Sequence, residues 1–237
     1  MKAACGLPVK RHGISGILLR ELEGRLDLTV IDVGASEGDF TAGLARTVGV
    51  RRALLIEPQP KRCSQMTARF ADDRFKVINA AVGDREDRIR MDVLNSDYSS
   101  SILPVRRDRP EFFGAVDVNV RETIDVRLAP LDALCSENAF PGPYDILKID
   151  VQGAEHLAIA GAKETLERTG MLWVEVSYQT QYDEAVTIDS IIRLLRGHGF
   201  ILSATEPIYY GSDGELLSSD ALFVRRPQCT PEITTNG

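Results

Sequence analysis

The sequence predicts an α/β fold: a mostly parallel seven-stranded sheet with helices on both faces and a C-terminal antiparallel hairpin. Three observations carry this expectation. Short apolar runs rich in β-branched residues, such as Val30-Ile31-Asp32-Val33 and Tyr144 to Val151, alternate with stretches of helical periodicity, the order that builds a parallel sheet. The run at 29–33 passes into Gly34-Ala35-Ser36-Glu37-Gly38 and then into a helix, which places a small ligand at the carboxyl end of a first strand. The last two apolar runs, Phe200 to Ile208 and Ala221 to Arg225, flank the turn residues Gly211-Ser212-Asp213-Gly214 and read as an antiparallel pair.

Composition sets the outer limits. The chain has 237 residues, 43% hydrophobic and 27% charged, which suits one folded domain of ordinary core size. A net charge of −7 argues against a general nucleic-acid binder. No apolar run reaches the length of a spanning helix, and Met1 to Leu28 has no secretory h-region. Cys5, Cys63, Cys135 and Cys229 lack metal-ligand spacing and are expected to be reduced thiols in a cytoplasmic protein. We expect an N-terminal helical segment at 1–27, a catalytic domain at 28–227 and a disordered tail at 228–237.

Taken in order, Ile14, Ile17, Leu18 and Leu22 share one face of a first helix, expected to pack beside the sheet or cover the ligand. After the first strand, Phe40, Leu44, Ala45 and Val48 mark the face of a second helix. Arg52 to Glu57 is a second strand ended by Pro58, Pro60 to Phe70 a helix, and Phe75 to Val82 a third strand closed by Gly83-Asp84. Arg85 to Val93 reads as an extra edge strand. Periodicity fails from Asn95 to Arg121, and a loop that long inside a compact domain is expected to bind or cover a ligand. Glu122 to Leu128 alternates as a strand, Pro130 to Asn138 is a short helix, and Tyr144 to Val151 is the fourth main strand. A helix from about Gly153 presents Ala154, Leu157, Ala158 and Ala162 to the sheet. Met171 to Tyr178 is the fifth strand, and Thr187 to Arg196 a helix burying Ile188, Ile191, Ile192 and Leu195.

The residues with chemistry gather at strand ends. Asp32, Gly34, Ala35, Gly38 and Phe40 belong to the glycine turn, whose G-x-x-x-G spacing is not the G-x-G-x-x-G of a dinucleotide site; a ligand without phosphate fits better. Gly34 is expected to take the tight turn and Gly38 to admit a close backbone approach. Glu57, 25 residues after Asp32, is placed to accept hydrogen bonds from both ribose hydroxyls of an adenosine ligand, with Ile56 and Pro58 beside it. The small residues around Ala81 leave room for a planar base, and Asn79 or nearby backbone is expected at its edge. Asp150 ends the fourth strand and Glu175 lies near the end of the fifth, so the two are expected to act as a carboxylate pair. Glu155 suits the first turn of a helix. His156 is a lone histidine, read chiefly as surface or hydrogen-bonded and secondarily as a proton acceptor. His198 caps a helix before Gly199, and His12 lies in the N-terminal segment. Tyr98 to Ser101 and Arg106, Arg107 and Arg109 read as loop and solvated charge, with a second reading as contacts to the cofactor or an acidic substrate.

The segments V-I-D-V-G-A-S-E-G-D-F-T, L-L-I-E-P-Q-P, I-N-A-A-V-G-D, S-S-S-I-L, L-K-I-D-V-Q-G-A-E and L-W-V-E-V-S, spanning about 29 to 178, resemble the FkbM-type family of S-adenosylmethionine-dependent methyltransferases, of the Rossmann-like class. K-I-D-V-x-G-A-E is the specific element. Such families often carry Glu where this chain has Gln152, so no acid–base role is assigned to that side chain. The resemblance implies S-adenosyl-L-methionine as cofactor and O-methylation of a hydroxyl on a sugar, glycolipid or natural product. Asp32, Gly34, Ala35, Gly38, Phe40, Glu57, Pro58, Asn79, Ala81 and Asp150 would then hold the cofactor, with Asp150 as first choice for orienting or deprotonating the acceptor and Glu175 in support. No protein-bound metal is expected, although Mg²⁺ on Asp150 and Glu175 is a variant of the same chemistry. The rival readings are a nicotinamide-dependent oxidoreductase, which lacks its second glycine and a Tyr-x-x-x-Lys pair here, and a non-catalytic binding module. The expected partners are a small-molecule or glycan hydroxyl acceptor, with no nucleic acid, no membrane span, and oligomerisation left open.

Overall fold

The computed structural model describes residues 14–96, 99–108, 113, 116–211 and 214–225. Expectations for Cys5, His12, Tyr98, Arg109, Ser212, Asp213, Cys229 and the tail at 228–237 lie outside them. The elements run α1 (Gly16–Glu21), β1 (Leu28–Val33), α2 (Asp39–Thr47), β2 (Val50–Glu57), α3 (Pro60–Arg69), β3 (Phe75–Asn79), β4 (Ala81–Val82), β5 (Asp87–Leu94) and β6 (Val120–Ala129). They continue through α4 (Leu131–Glu137), β7 (Tyr144–Ile149), α5 (Glu155–Ala160), α6 (Lys163–Glu167), β8 (Thr169–Ser177), α7 (Ile188–Gly197), β9 (Phe200–Tyr210) and β10 (Leu216–Arg225).

The main sheet has seven strands in the order β3-β2-β1-β7-β8-β10-β9. All neighbours pair parallel except β10, which runs antiparallel to both β8 and β9. Strand order reverses beside β1, the point at which open α/β sheets hold ligands outside their carboxyl ends.

Period-two alternation divides the sheet's side chains between two cores. Ile31, Val33, Leu54, Ile56, Leu147, Ile149, Leu172 and Val174 pack with Leu134, Ile159, Leu166, Ile191 and Leu195 from α4 to α7. Val30, Ala53, Leu55, Ile146, Met171 and Trp173 pack with Leu18 of α1, Leu44 of α2 and Met66 of α3. The expected layering, with helices on both faces, is thus present. Asp32, Glu57, Lys148, Asp150, Glu175 and Asp220 share the parity of the second set. The face that is apolar at mid-sheet therefore turns polar at its carboxyl edge.

Three sequence expectations are corrected. The third strand is not continuous: β3 stays parallel to β2, whereas β4 leaves to pair with Leu128 and Ala129 of β6. Asn79 marks the break, its amide donating back to the carbonyls of Glu57 and Pro58 at 3.0 and 2.9 Å. The extra strand β5 is consequently not an edge of the main sheet. With β4 and β6 it forms a three-stranded sheet in the order β4-β6-β5. The expected helix from Gly153 is also two helices, α5 and α6, with Gly161 between them. A Cβ on Gly161 would lie 1.9 Å from the Gly83 carbonyl oxygen, so the helix joint touches the β4 turn backbone to backbone. No helix among the described residues is long and apolar enough to cross a membrane.

Gly34 has φ +73, and a Cβ there would lie 1.8 Å from the Asp150 carbonyl oxygen. A side chain would push the ends of β1 and β7 apart. Gly34→Ala is therefore expected to destabilise the fold by about 2–4 kcal/mol, while Gly16→Ala, with open space at that position, should melt like the parent protein. Thermal unfolding checks both, and a Gly34→Ala protein of unchanged midpoint would contradict the packing at the turn.

Candidate active site

A cleft of about 840 Å³ follows the carboxyl edge of the main sheet, from Glu57 at the end of β2 to Glu206 and Tyr209 on β9. The path crosses five strand spacings, about 24 Å. Ile14, Ser15 and Gly16 contribute to the rim, so α1 both buries Leu18 in the core and borders the cleft.

The β2 side of the cleft is a prepared carboxylate with apolar neighbours. Glu57 is 4% exposed. Its Oε2 accepts from the Ser36 backbone N–H at 2.9 Å and its Oε1 from the Gln59 N–H at 3.1 Å. Burial nonetheless raises its pKa, with those two N–H groups and Arg62 pulling the other way. Arg62 donates to the Ser36 hydroxyl, fixing the turn from the other side. Ile56, Ala80, Ala81, Val82 and Met91 line the adjoining wall.

At the centre of the sheet the charged groups touch. Lys148 Nζ lies 3.1 Å from Asp150 Oδ2 and 3.6 Å from Asp32 Oδ1, and donates to the Gly34 carbonyl at 3.3 Å. Burial alone would favour the neutral amine, but the carboxylates of Asp150 and Asp32 outweigh it and hold the lysine charged. Asp150 is likewise pushed up by burial, yet the Lys148 charge prevails and its pKa falls below the usual carboxylate range. No cation among the described residues offsets the charge of Glu175 in this way. Burial, followed by the negative charge of Asp150, drives its pKa well up. The Gln152 amide nitrogen bridges the two, donating to Asp150 Oδ1 at 2.9 Å and to Glu175 Oε2 at 2.6 Å. The two carboxyls of the strand-end pair are thus pushed in opposite directions, Asp150 towards the charged form and Glu175 towards the protonated one.

The row continues across the hairpin. Asp220 on β10 stands opposite Glu175 on β8 and opposite Glu206 on β9, and all three line the cleft. Burial and the charge of Asp150 raise Asp220 to about 7. Apolar cover comes from Phe113 and Val116, part of the expected binding loop, which cluster with Tyr209 and Leu217. The same loop is fastened to the segment after β8: Tyr182 donates to the Ser99 carbonyl at 2.8 Å and Arg106 N–H to the Gln181 carbonyl at 3.0 Å.

Gly34, Phe40, Glu57, Pro58, Ala81, Asp150 and Glu175 all line the cleft, whereas Asp32, Ala35, Gly38 and Asn79 do not. Asp32 is fully buried and acts on other residues, accepting from the Thr41 hydroxyl at 2.7 Å and facing Lys148. Gly38 caps α2 in the left-handed region at φ +78, and a Cβ there would meet the Phe70 ring at 2.4 Å; its need is helix packing, not ligand approach. Asn79 spends its amide on the β2–α3 turn. His156 is half-buried and off the cleft, its pKa lowered by burial, and His198 is the C-cap of α7 as expected. Cys63 and Cys135 are free and buried. Sequence reasoning missed Lys148, Gln152, Tyr182 and Asp220. Strand parity already aligned Lys148 with Asp32 and Asp150, but nothing local marked Tyr182 or Asp220.

Against known proteins, the sequence model of the Methyltransferase FkbM domain matches residues 32–202. The chain is 29% identical over 199 residues to the 2-O-methyltransferase NoeI of Sinorhizobium fredii, covering 81% of this chain and 79% of that protein. Among solved structures, the methyltransferase FkbM of Methylobacillus flagellatus superposes with a TM-score of 0.51 at 17% identity, over 84% of this chain and 43% of the other; the present chain thus spans less than half of that protein. The magnesium protoporphyrin IX methyltransferase of Synechocystis, crystallised with bound S-adenosylmethionine, gives 0.51 at 13% identity, over 89% of this chain and 76% of the other. At these identities the two structures show a shared fold.

Glu155 provides a pH test of the site's support. It is 5% exposed, and its Oε1 accepts from the N–H groups of Val151 at 3.0 Å and Gly153 at 3.1 Å. Burial raises it to about 7 despite those bonds. The folded chain therefore keeps a proton that the unfolded chain releases near pH 4.5, and this contribution to stability declines as pH rises towards 7. Glu155→Gln keeps an acceptor oxygen but cannot ionise. The variant's stability relative to the parent should improve by about 2 kcal/mol between pH 5 and pH 8, a relative shift of about 6 °C in thermal midpoint. Equal differences at the two pH values would contradict the raised pKa.

Proposed function

As the chain belongs to the FkbM methyltransferase family, we propose that it binds S-adenosyl-L-methionine at the β2–β1–β7 side of the cleft and methylates a hydroxyl of a sugar, glycolipid or natural product held at the β8–β10–β9 side. The observation that carries this reading is the Glu57 carboxylate, buried at the end of β2, oriented by two backbone N–H groups and bordering the cleft. A carboxylate held in this way suits paired ribose hydroxyls and repels a phosphate. The relative from Sinorhizobium fredii, named a 2-O-methyltransferase, and the Synechocystis structure with its bound cofactor support the same reading.

The residues present fit the cofactor. Glu57 accepts from the ribose, and the wall formed by Ile56, Ala81, Val82 and Met91 admits a flat base. Phe40 and the carboxyl groups border the region for a cationic group. When bound, S-adenosyl-L-methionine supplies an electrophilic methyl group on a positively charged sulfur. Asp150, kept ionised by Lys148, orients the acceptor hydroxyl and takes its proton. Glu175 holds the neighbouring position in its protonated form. The positive charge opposing this pair is the Lys148 ammonium at 3.1 Å from Asp150, so the proton transfer proposed here calls for no divalent ion.

Two measurements test the proposal. In calorimetry, Glu57→Ala should bind S-adenosylhomocysteine more than tenfold more weakly than the parent chain; equal affinity would remove the ribose assignment. With radiolabelled S-adenosylmethionine and a panel of glycosides, glycolipids and natural-product alcohols, the parent should label a hydroxyl acceptor and Asp150→Asn should lose at least a hundredfold in kcat. Cofactor binding with no transfer to any acceptor would favour the non-catalytic reading.

A further inference from the structure

Gln152 holds a backbone conformation that glutamine rarely takes. It lies in the turn between β7 and α5 at φ +55, in the left-handed region where glycine and asparagine are preferred. Three polar contacts hold the side chain there. Its Nε2 donates to Asp150 Oδ1 and Glu175 Oε2 at 2.9 and 2.6 Å, and its Oε1 lies 3.4 Å from the Tyr182 hydroxyl. One amide nitrogen carries two hydrogens, and here each is directed to a carboxyl from a different strand.

The surroundings of the pair are strongly acidic. Facing it are Lys148 on β7, Asp32 on β1, Asp220 on β10, Glu155 at the start of α5 and Tyr182 after β8. Of these, Lys148 is the one cation, and it sits on Asp150 Oδ2. With the ammonium seated on Asp150, the carboxyl that lies away from it, Glu175, is the one whose proton affinity rises. A bridging amide donates to either form and adds no charge. A glutamate at position 152 would place a third carboxyl in the group and require a further proton. An asparagine would suit the backbone but fall one methylene short of the bridge.

We propose that Gln152 is a positioning residue, whose amide clamps Asp150 and Glu175 into a fixed pair in which Glu175 keeps the proton and Asp150 remains the acceptor for the proton of the attacking hydroxyl. This rests on the reading of Asp150 given above. The strained backbone is retained because only the longer amide spans both carboxyls.

The test uses the full chain labelled with ¹³C at its Asp and Glu carboxyl carbons, titrated by NMR, with Asp150→Asn and Glu175→Gln assigning the two resonances. In the parent, Asp150 should titrate below the ordinary aspartate range. Gln152→Gly and Gln152→Asn should each raise the proton affinity of Asp150 about tenfold, and Gln152→Glu should raise it further. Because the backbone is relieved, Gln152→Gly should melt no lower than the parent. Asp150 titrations within threefold of the parent in all three variants would overturn the proposal. So would a Gln152→Gly protein that melts lower with its Asp150 titration unmoved, which would mark the residue as structural. A lack of methyl transfer to every acceptor tried would strike the proposed function and leave the titration result standing, so the two failures are distinguishable.

Discussion

One ammonium group ties the carboxyl edge of the sheet together. Lys148 Nζ reaches the Asp32 carboxylate on β1, the Asp150 carboxylate just past β7 and the carbonyl of Gly34 between β1 and α2. Removing two carboxylates from water is costly unless a partner charge and hydrogen bonds replace the lost hydration. Lys148 is that partner, and the Thr41 hydroxyl supplies a further bond to Asp32. The glycine turn, the start of α2 and the acid at the end of β7 are therefore set by one electrostatic contact. The same contact holds the pKa of Asp150 down, whereas burial and the Asp150 charge drive that of Glu175 up.

The second organising fact is parity. The strands of a sheet covered on both sides alternate their side chains between two cores, and the charged residues that the strands bring to the site, Asp32, Glu57, Lys148, Glu175 and Asp220 with Asp150 just past β7, fall on the side covered by α1, α2 and α3. Those helices pack over the middle of the sheet through Leu18, Leu44 and Met66, leaving the strand ends to be covered by loop. The segment after β5 does this through the Ser99 and Arg106 bonds to the Gln181–Tyr182 stretch. Fold and site are one construction: an apolar stripe closes the domain, and the next turn of the same alternation opens the cleft.

Much of this was legible in the sequence. The β-branched runs located the parallel strands, the turn residues located the hairpin, and the strand-end acids Glu57, Asp150 and Glu175 were found by position alone. What escaped reading depended on contacts distant along the chain. The break after Asn79 comes from an amide bonding to carbonyls 21 and 22 residues away, which no local pattern of Phe75 to Val82 reveals. Gly161 divides a helix because Gly83 lies against it. Gln152 reads as a neutral replacement for an acid until its two carboxyl partners are in view. Gly38 illustrates the converse: a residue type suited to ligand approach is required instead by the ring of Phe70.

The two sides of the cleft draw on separate stretches of the chain. The glycine turn, the Glu57 carboxylate and the apolar wall beside it come from residues 33–91, whereas the opposite side takes Phe113 and Val116 from the long connection and Glu206, Tyr209 and Asp220 from the hairpin. The long connection rises from the three-stranded sheet, which has a small apolar cluster of its own in Met91, Val93, Val126 and Leu128 and joins the main core through Val82 and Ala129. An insertion in the long connection or an exchange of the hairpin would therefore reshape one end of the cleft and leave the wall at the β2 end as it stands.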